Sequence, residues 1–116
     1  GLGAAHSIHN GLTALAQTHG LYHGEKVAFG VLASLVLTDR PLALVDEVYS
    51  LCAALGLPTT FAGLGLADPG DEELLLVAQK ACAPGESIHN EPVDISPLLV
   101  LAALKAADAE GRRRER

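Results

Sequence analysis

An all-α fold, a single bundle of about five helices, follows from three observations on the 116-residue chain. Hydrophobic residues make up 49% of it but aromatics only 3%, so leucine, alanine and valine must do the packing, as in helices that cross at close range. Apolar residues recur at steps of three and four along most of the length, and no segment sustains the alternation of a strand. The length is that of one ordinary domain and suffices to bury a core without disulfide or metal staples.

Leu2, Ala5, Ile8, Leu12 and Leu15 set a helical period over residues 2–19. Gly11 weakens that helix by about 1 kcal/mol relative to alanine, but permits close approach of a neighbour or a ligand. After a break at Gly20-Leu21-Tyr22, a second helix begins near His23 and runs to about Asp39. Pro41 in the first turn opens a third, with Leu44, Val45, Val48, Leu51, Cys52 and Leu55 on one face and Asp46, Glu47 and Ser50 on the other. Gly56 and Pro58 end it. Residues 59–70 are rich in glycine and read as irregular, with one short helical turn.

Asp71, Glu72 and Glu73 place negative charge at the start of a fourth helix, which carries Leu74, Leu75, Val77, Ala78, Ala81 and Cys82. Ala83-Pro84-Gly85-Glu86 terminates it. Ser96 as N-cap and Pro97 in the first turn open the last helix, with Leu98, Leu101 and Leu104, and Gly111 is expected to stop it.

The stretch SIHN occurs twice, at Ser7–Asn10 within the first helix and at Ser87–Asn90 in a connecting loop. The flanks are unrelated and the expected backbone states differ, so this is no structural repeat.

A net charge of −6 excludes nucleic acid as a partner, because the only basic cluster is Arg112, Arg113, Arg114 and Arg116, placed to complement a helix C-terminus. The longest run without charge, Val27 to Thr38, is shorter than the ~20 residues that span a bilayer, so no membrane association is expected. No secretory leader opens the chain, and Cys52 and Cys82, both on apolar stripes, read as buried free thiols in a cytoplasmic protein. The absence of methionine and the start inside a helical pattern suggest the middle of a longer polypeptide.

Four of the five histidines, His6, His9, His19 and His23, fall near the start. His6 and His9 share a helix face, and a tight return at Gly20 brings His23 back against it. Imidazole suits zinc and related metals, but no HExxH-type signature is present, and surface or satisfied core histidines are the alternative.

The stretches Gly3 to Leu12 (GAAHSIHNGL), Thr18-His19 and Tyr22 to Gly30 (YHGEKVAFG) resemble the C-terminal helical domain of the glycerol dehydrogenases, in the dehydroquinate synthase-like, iron-containing alcohol dehydrogenase superfamily. Gly56 to Thr59 (GLPT), Ala81-Cys82 with Glu86 to Asn90 (ESIHN), and Ala106 to Asp108 (AAD) with Gly111-Arg112 extend the resemblance over residues 1–116 as one metal-binding domain. AAHSIHNG and YHGEKVAFG make it specific to glycerol dehydrogenases within that superfamily.

The resemblance implies oxidation of glycerol to dihydroxyacetone with NAD and one zinc ion, or another divalent metal such as iron. By the family pattern His6 and His23 hold the metal together with an aspartate that lies, like the NAD-binding domain, outside this chain. The chain alone is then inactive and needs that NAD-binding domain or a partner chain to supply the rest; the family also implies a homo-oligomer. His9, one turn from His6, is the candidate to contact substrate or relay a proton, with a supporting or packing role as the alternative. Asn10 and Gly11 are candidates to line the polyol pocket.

His19 reads as a surface or supporting residue, His89 as a helix cap or exposed loop residue, and Glu25 as either orienting the ligand helix or complementing its N-terminus. A related polyol or glycerol-phosphate dehydrogenase, and a non-catalytic helical interaction module derived from the family, are the competing functions. Phosphate recognition would want more basic residues than Lys26 near the site.

Overall fold

The computed structural model describes residues 2–115; the Leu2 side chain and Arg116, members of the first apolar stripe and of the arginine tail, lie outside the described residues. The elements are α1 (Leu2–Leu12), α2 (His23–Leu37), α3 (Leu42–Leu55), α4 (Asp71–Ala81) and α5 (Pro97–Arg114), with short 3-10 turns at Ala16–Thr18, Ala62–Leu64 and Ser87–Asn90. No strand occurs among the described residues, so the all-α bundle expected from composition and periodicity is the fold.

α1, α2, α4 and α5 surround one core in which Ile8, Leu12, Phe29, Val77, Ile88 and Leu104 are fully buried. Each such side chain contributes about 1.5–3 kcal/mol by leaving water. α3 stands outside it, packing through Val45, Tyr49 and Cys52 onto Ala28, Leu32 and Leu35 of α2. That stripe is narrower than the expected face: Leu51 and Leu55 are 58% and 63% exposed. A helix with one main neighbour buries only the positions that point at it, here i, i+4 and i+7. Tyr49 joins them because its hydroxyl donates to the Ala107 carbonyl oxygen at 2.7 Å, giving the buried phenol a partner. Tyr49→Phe is expected to lower stability by about 1 kcal/mol in urea unfolding, with the fold retained; an unchanged midpoint would show that the bond contributes nothing.

Two boundaries differ from those expected. α1 stops at Leu12 instead of continuing to residue 19, because the buried Thr18 hydroxyl lies 2.8 Å from the Leu12 carbonyl oxygen and 2.9 Å from that of Leu15, competing with helical continuation. α5 runs through Gly111 to Arg114. There the glycine serves packing: a Cβ at residue 111 would sit 1.8 Å from the Thr59 carbonyl oxygen. Gly56, at φ 72°, does end α3 as expected. Ser96 caps α5 by accepting from the Leu99 amide at 3.2 Å, and Leu98 at its first turn is 71% exposed.

The arginine tail is tied down by acids. Arg112 pairs with Asp108 at 2.9 Å, Arg113 and Arg114 pair with Glu110, and Arg114 also reaches Asp46 and lies over the Tyr49 ring. Both cysteines are free, Cys52 buried and Cys82 half-buried, and burial pushes both thiols up. Among the described residues no helix is long and apolar enough to cross a membrane.

Candidate functional site

α1 and α2 approach closely because the residues between them are small. A Cβ at Gly30 would lie 2.7 Å from the Ala5 carbonyl oxygen, and Ala4 and Ala5 are buried. At the end of that contact α2 begins with His23, so its ring meets those carried by α1. The His9 ring centroid is 4.2 Å from that of His23, nearly edge-on, and 6.3 Å from that of His6. The three imidazoles foreseen as neighbours are together.

Their environments differ. His6 and His23 are exposed, whereas His9 is 8% exposed and its Nδ1 is buried without a hydrogen-bond partner. Orphaned buried nitrogens are uncommon, and one beside two accessible imidazoles is poised to meet a ligand. Burial, and next the adjacent His23, push the His9 imidazole below its ordinary value; the neighbouring Asn10 side chain opposes them. His9 is thereby kept neutral, with a lone pair to offer. Lys26, one turn along α2 from His23 and 8% exposed, adds positive charge that acts on His9 in the same direction.

Of the other candidates, Asn10 is half-buried at this site and its Nδ2 lies 3.4 and 3.5 Å from the two Glu86 carboxylate oxygens. Gly11 packs against α4: its Cβ position is 2.4 Å from the Val77 carbonyl oxygen, so it permits the approach of a helix. Glu25 accepts from the Tyr22 amide at 3.0 Å and so caps the start of α2. His19 Nε2 lies 2.9 Å from the Thr13 carbonyl oxygen beyond the end of α1, and His89 Nε2 lies 2.9 Å from the Cys82 carbonyl oxygen, capping α4.

The two SIHN stretches occupy different backbone states, helix and 3-10 turn, yet pack on each other. Ile8 and Ile88 are both fully buried, and the Ile88 amide donates to Ser7 Oγ at 3.0 Å. Ser7 and Glu86 escaped the sequence reading; the duplicated tetrapeptide was the one signal that could have drawn attention to them.

The donors fit part of a metal site. Two accessible imidazoles beside a neutral third suit zinc or a similar cation, but no group of three or more His, Cys, Asp or Glu side chains among the described residues is arranged to hold one. The described residues by themselves do not complete such a site. A separate cavity of about 550 Å³, lined by Phe61, Leu74, Lys105 and Arg112 among others, involves none of the histidines.

No family model matches the chain. It is 58% identical over 115 residues to a glycerol dehydrogenase of Thermotoga maritima, a match that covers 99% of this chain and 32% of the relative. A glycolaldehyde reductase of Halobacterium salinarum is 47% identical over 97% of this chain and 31% of its own length. In structure, a probable glycerol dehydrogenase of Sinorhizobium meliloti 1021 superposes with a TM-score of 0.90 at 45% identity, covering 94% of this chain and 31% of that one. The chain spans about a third of the length of these relatives. By fold and sequence it is related to oxidoreductases and matches their C-terminal helical part. Among the oxidoreductases it is similar to over nearly its full length are glycerol dehydrogenases.

Proposed function

We propose that the chain is the metal-holding part of a zinc-dependent, NAD-linked glycerol dehydrogenase of the cytoplasm, forming dihydroxyacetone. His6 and His23 supply two imidazole ligands, and the remaining ligand, a carboxylate, and the nicotinamide site come from outside the described residues. The observation that carries this reading is the convergence of His6, His9 and His23 at the start of α2, with one buried nitrogen unpartnered among them. Taken alone the chain is inactive, since its described residues do not form a complete ligand set. Another divalent ion, such as iron, suits the same donors.

When bound, the metal and the nicotinamide supply polarisation of a hydroxyl and an acceptor for hydride. The chain's own residues do the rest. His6 and His23, exposed on adjoining helices, each lie beside His9. His9, held neutral by burial, is suited to accept a hydrogen bond or the proton of a polyol hydroxyl at its free nitrogen. The Lys26 charge favours the alkoxide form of such a substrate over the neutral alcohol.

The test is oxidation of glycerol by the polypeptide that carries this chain, with NAD, before and after chelation. Activity is expected to disappear on chelation and to return with zinc; turnover that persists with the metal removed contradicts the reading. The similarity to a glycolaldehyde reductase supports a second substrate, and comparing glycolaldehyde reduction with glycerol oxidation in the same preparation separates the two.

A further inference from the structure

α2 carries a charge that its surroundings leave uncompensated. Lys26 is only 8% exposed, yet among the described residues it makes no hydrogen bond and no ion pair. Its place is fixed by the residues that flank it on the same helix face. His23, three positions before it, meets His9, and Gly30, four positions after it, lies against Ala5. Lys26 therefore sits on the seam between α1 and α2, one turn inward from His23. Long side chains on a helix lean toward its N-terminus, so the stem of Lys26 runs along the seam toward the turn of His23. The ammonium is not sealed in, because His9 Nδ1 is the one fully enclosed polar side-chain atom without a partner among the described residues. The stem is buried, and the charged head keeps its contact with water near the exposed His23.

A charge held this deeply in a fold is costly unless it is paired. The carboxylates that meet α1 and the start of α2 are engaged elsewhere. Glu25 accepts from the Tyr22 amide at 3.0 Å, Glu86 from Ser7 Oγ at 2.8 Å and Glu91 from the Ala4 amide at 3.2 Å. The metal reading already brings one further carboxylate to the histidines. Such a group has two oxygens, so it can ligate through one and accept from an ammonium through the other, and ligating carboxylates are commonly held in this way.

We infer that Lys26 is a positioning residue for the histidine site: its ammonium pairs with the carboxylate supplied from outside the described residues and holds it beside His6 and His23. The inference deepens the proposed function and rests on it for that carboxylate's role as a metal ligand. It leaves the net charge of the site unaltered, since the carboxylate belongs to the ligand set with or without Lys26.

The opposing account, an ammonium with no partner, differs in sign. An unpaired cation repels a divalent ion beside it, so removing the charge would tighten metal binding and, by relieving a buried charge, stabilise the fold. Removing a lysine that holds the carboxylate does the reverse, because it loosens the ligand and leaves a carboxylate unpaired.

The experiment compares wild type, Lys26→Met and Lys26→Arg in the polypeptide that carries this chain, by zinc titration and by urea unfolding of the metal-free protein. Lys26→Met, close to lysine in shape but uncharged, is expected to weaken zinc binding about 10- to 100-fold and to lower the metal-free midpoint. Lys26→Arg, which keeps the charge, should recover most of both. Lys26→Gln serves the same comparison should methionine disturb the packing. Zinc affinity that is unchanged or tighter in the uncharged variants, or a metal-free midpoint that is unchanged or higher, would overturn the inference. A wild type that takes up no zinc would undo the dehydrogenase reading instead, and the metal-free midpoints would still decide whether Lys26 has an acidic partner.

Discussion

His23→Ala, made in the polypeptide that carries this chain, is expected to abolish metal retention and to lower polyol oxidation by at least ~100-fold. That is the upper end of what loss of a mere supporting partner of a metal ligand costs, and removal of a ligand itself should not be milder. His6→Ala should behave alike. The double variant should be scarcely worse than either single one, because groups that act as a unit lose their joint effect at the first removal. His19→Ala is the matched control: its exposed ring lies 2.9 Å from the Thr13 carbonyl oxygen, beyond the end of α1. Metal content and kcat measured on all four variants check this together, and full metal retention by His23→Ala would remove that residue from the ligand set.

The second large effect concerns the fold. Gly111→Ala should cost about 3 kcal/mol, the upper part of the usual range for overpacking, because the new Cβ would lie 1.8 Å from the Thr59 carbonyl oxygen and 3.0 Å from the Thr60 methyl. Both neighbours are constrained. Asp108 Oδ1 accepts from the Phe61 amide at 2.7 Å and so pins the loop against α5, leaving the backbone little room to retreat. Gly24→Ala in α2, where nothing lies within 4 Å, should instead be neutral or stabilising by up to ~1 kcal/mol. Denaturant midpoints of the two variants give the comparison. Equal midpoints would mean that the close approach of α5 to Thr59 is not retained in solution.

Much of this was legible along the chain. Helix periodicity, Pro97 behind Ser96, Gly56 behind Leu55 and the acidic opening of α4 all act within one or two turns, and these elements lie close to where such local rules put them. His6 and His9 are spaced for one helix face, and the return at Gly20 made their meeting with His23 foreseeable. What escaped depends on partners distant in sequence. The end of α1 is decided by where the Thr18 hydroxyl folds back, and the passage of α5 through Gly111 by a loop some fifty residues upstream. Leu51 and Leu55 satisfy a helical stripe but stay exposed, since α3 packs chiefly on α2.

Glu86 lies 79 residues from Ser7 and 76 from Asn10, and nothing local marks it as part of the site. The repeated SIHN was visible and correctly set aside as a structural repeat. Its physical content is that one copy packs on the other, with serine and isoleucine filling complementary roles, and this appears only once both backbones are placed.

The most direct test of the central claim, that His6 and His23 hold a divalent metal, is a calorimetric zinc titration of the polypeptide carrying this chain, wild type against His6→Ala/His23→Ala. The wild type should bind a single equivalent, and the double variant should show no saturable heat. Binding of equal affinity by both would place the metal on other residues, and the dehydrogenase site described here would then have to be abandoned.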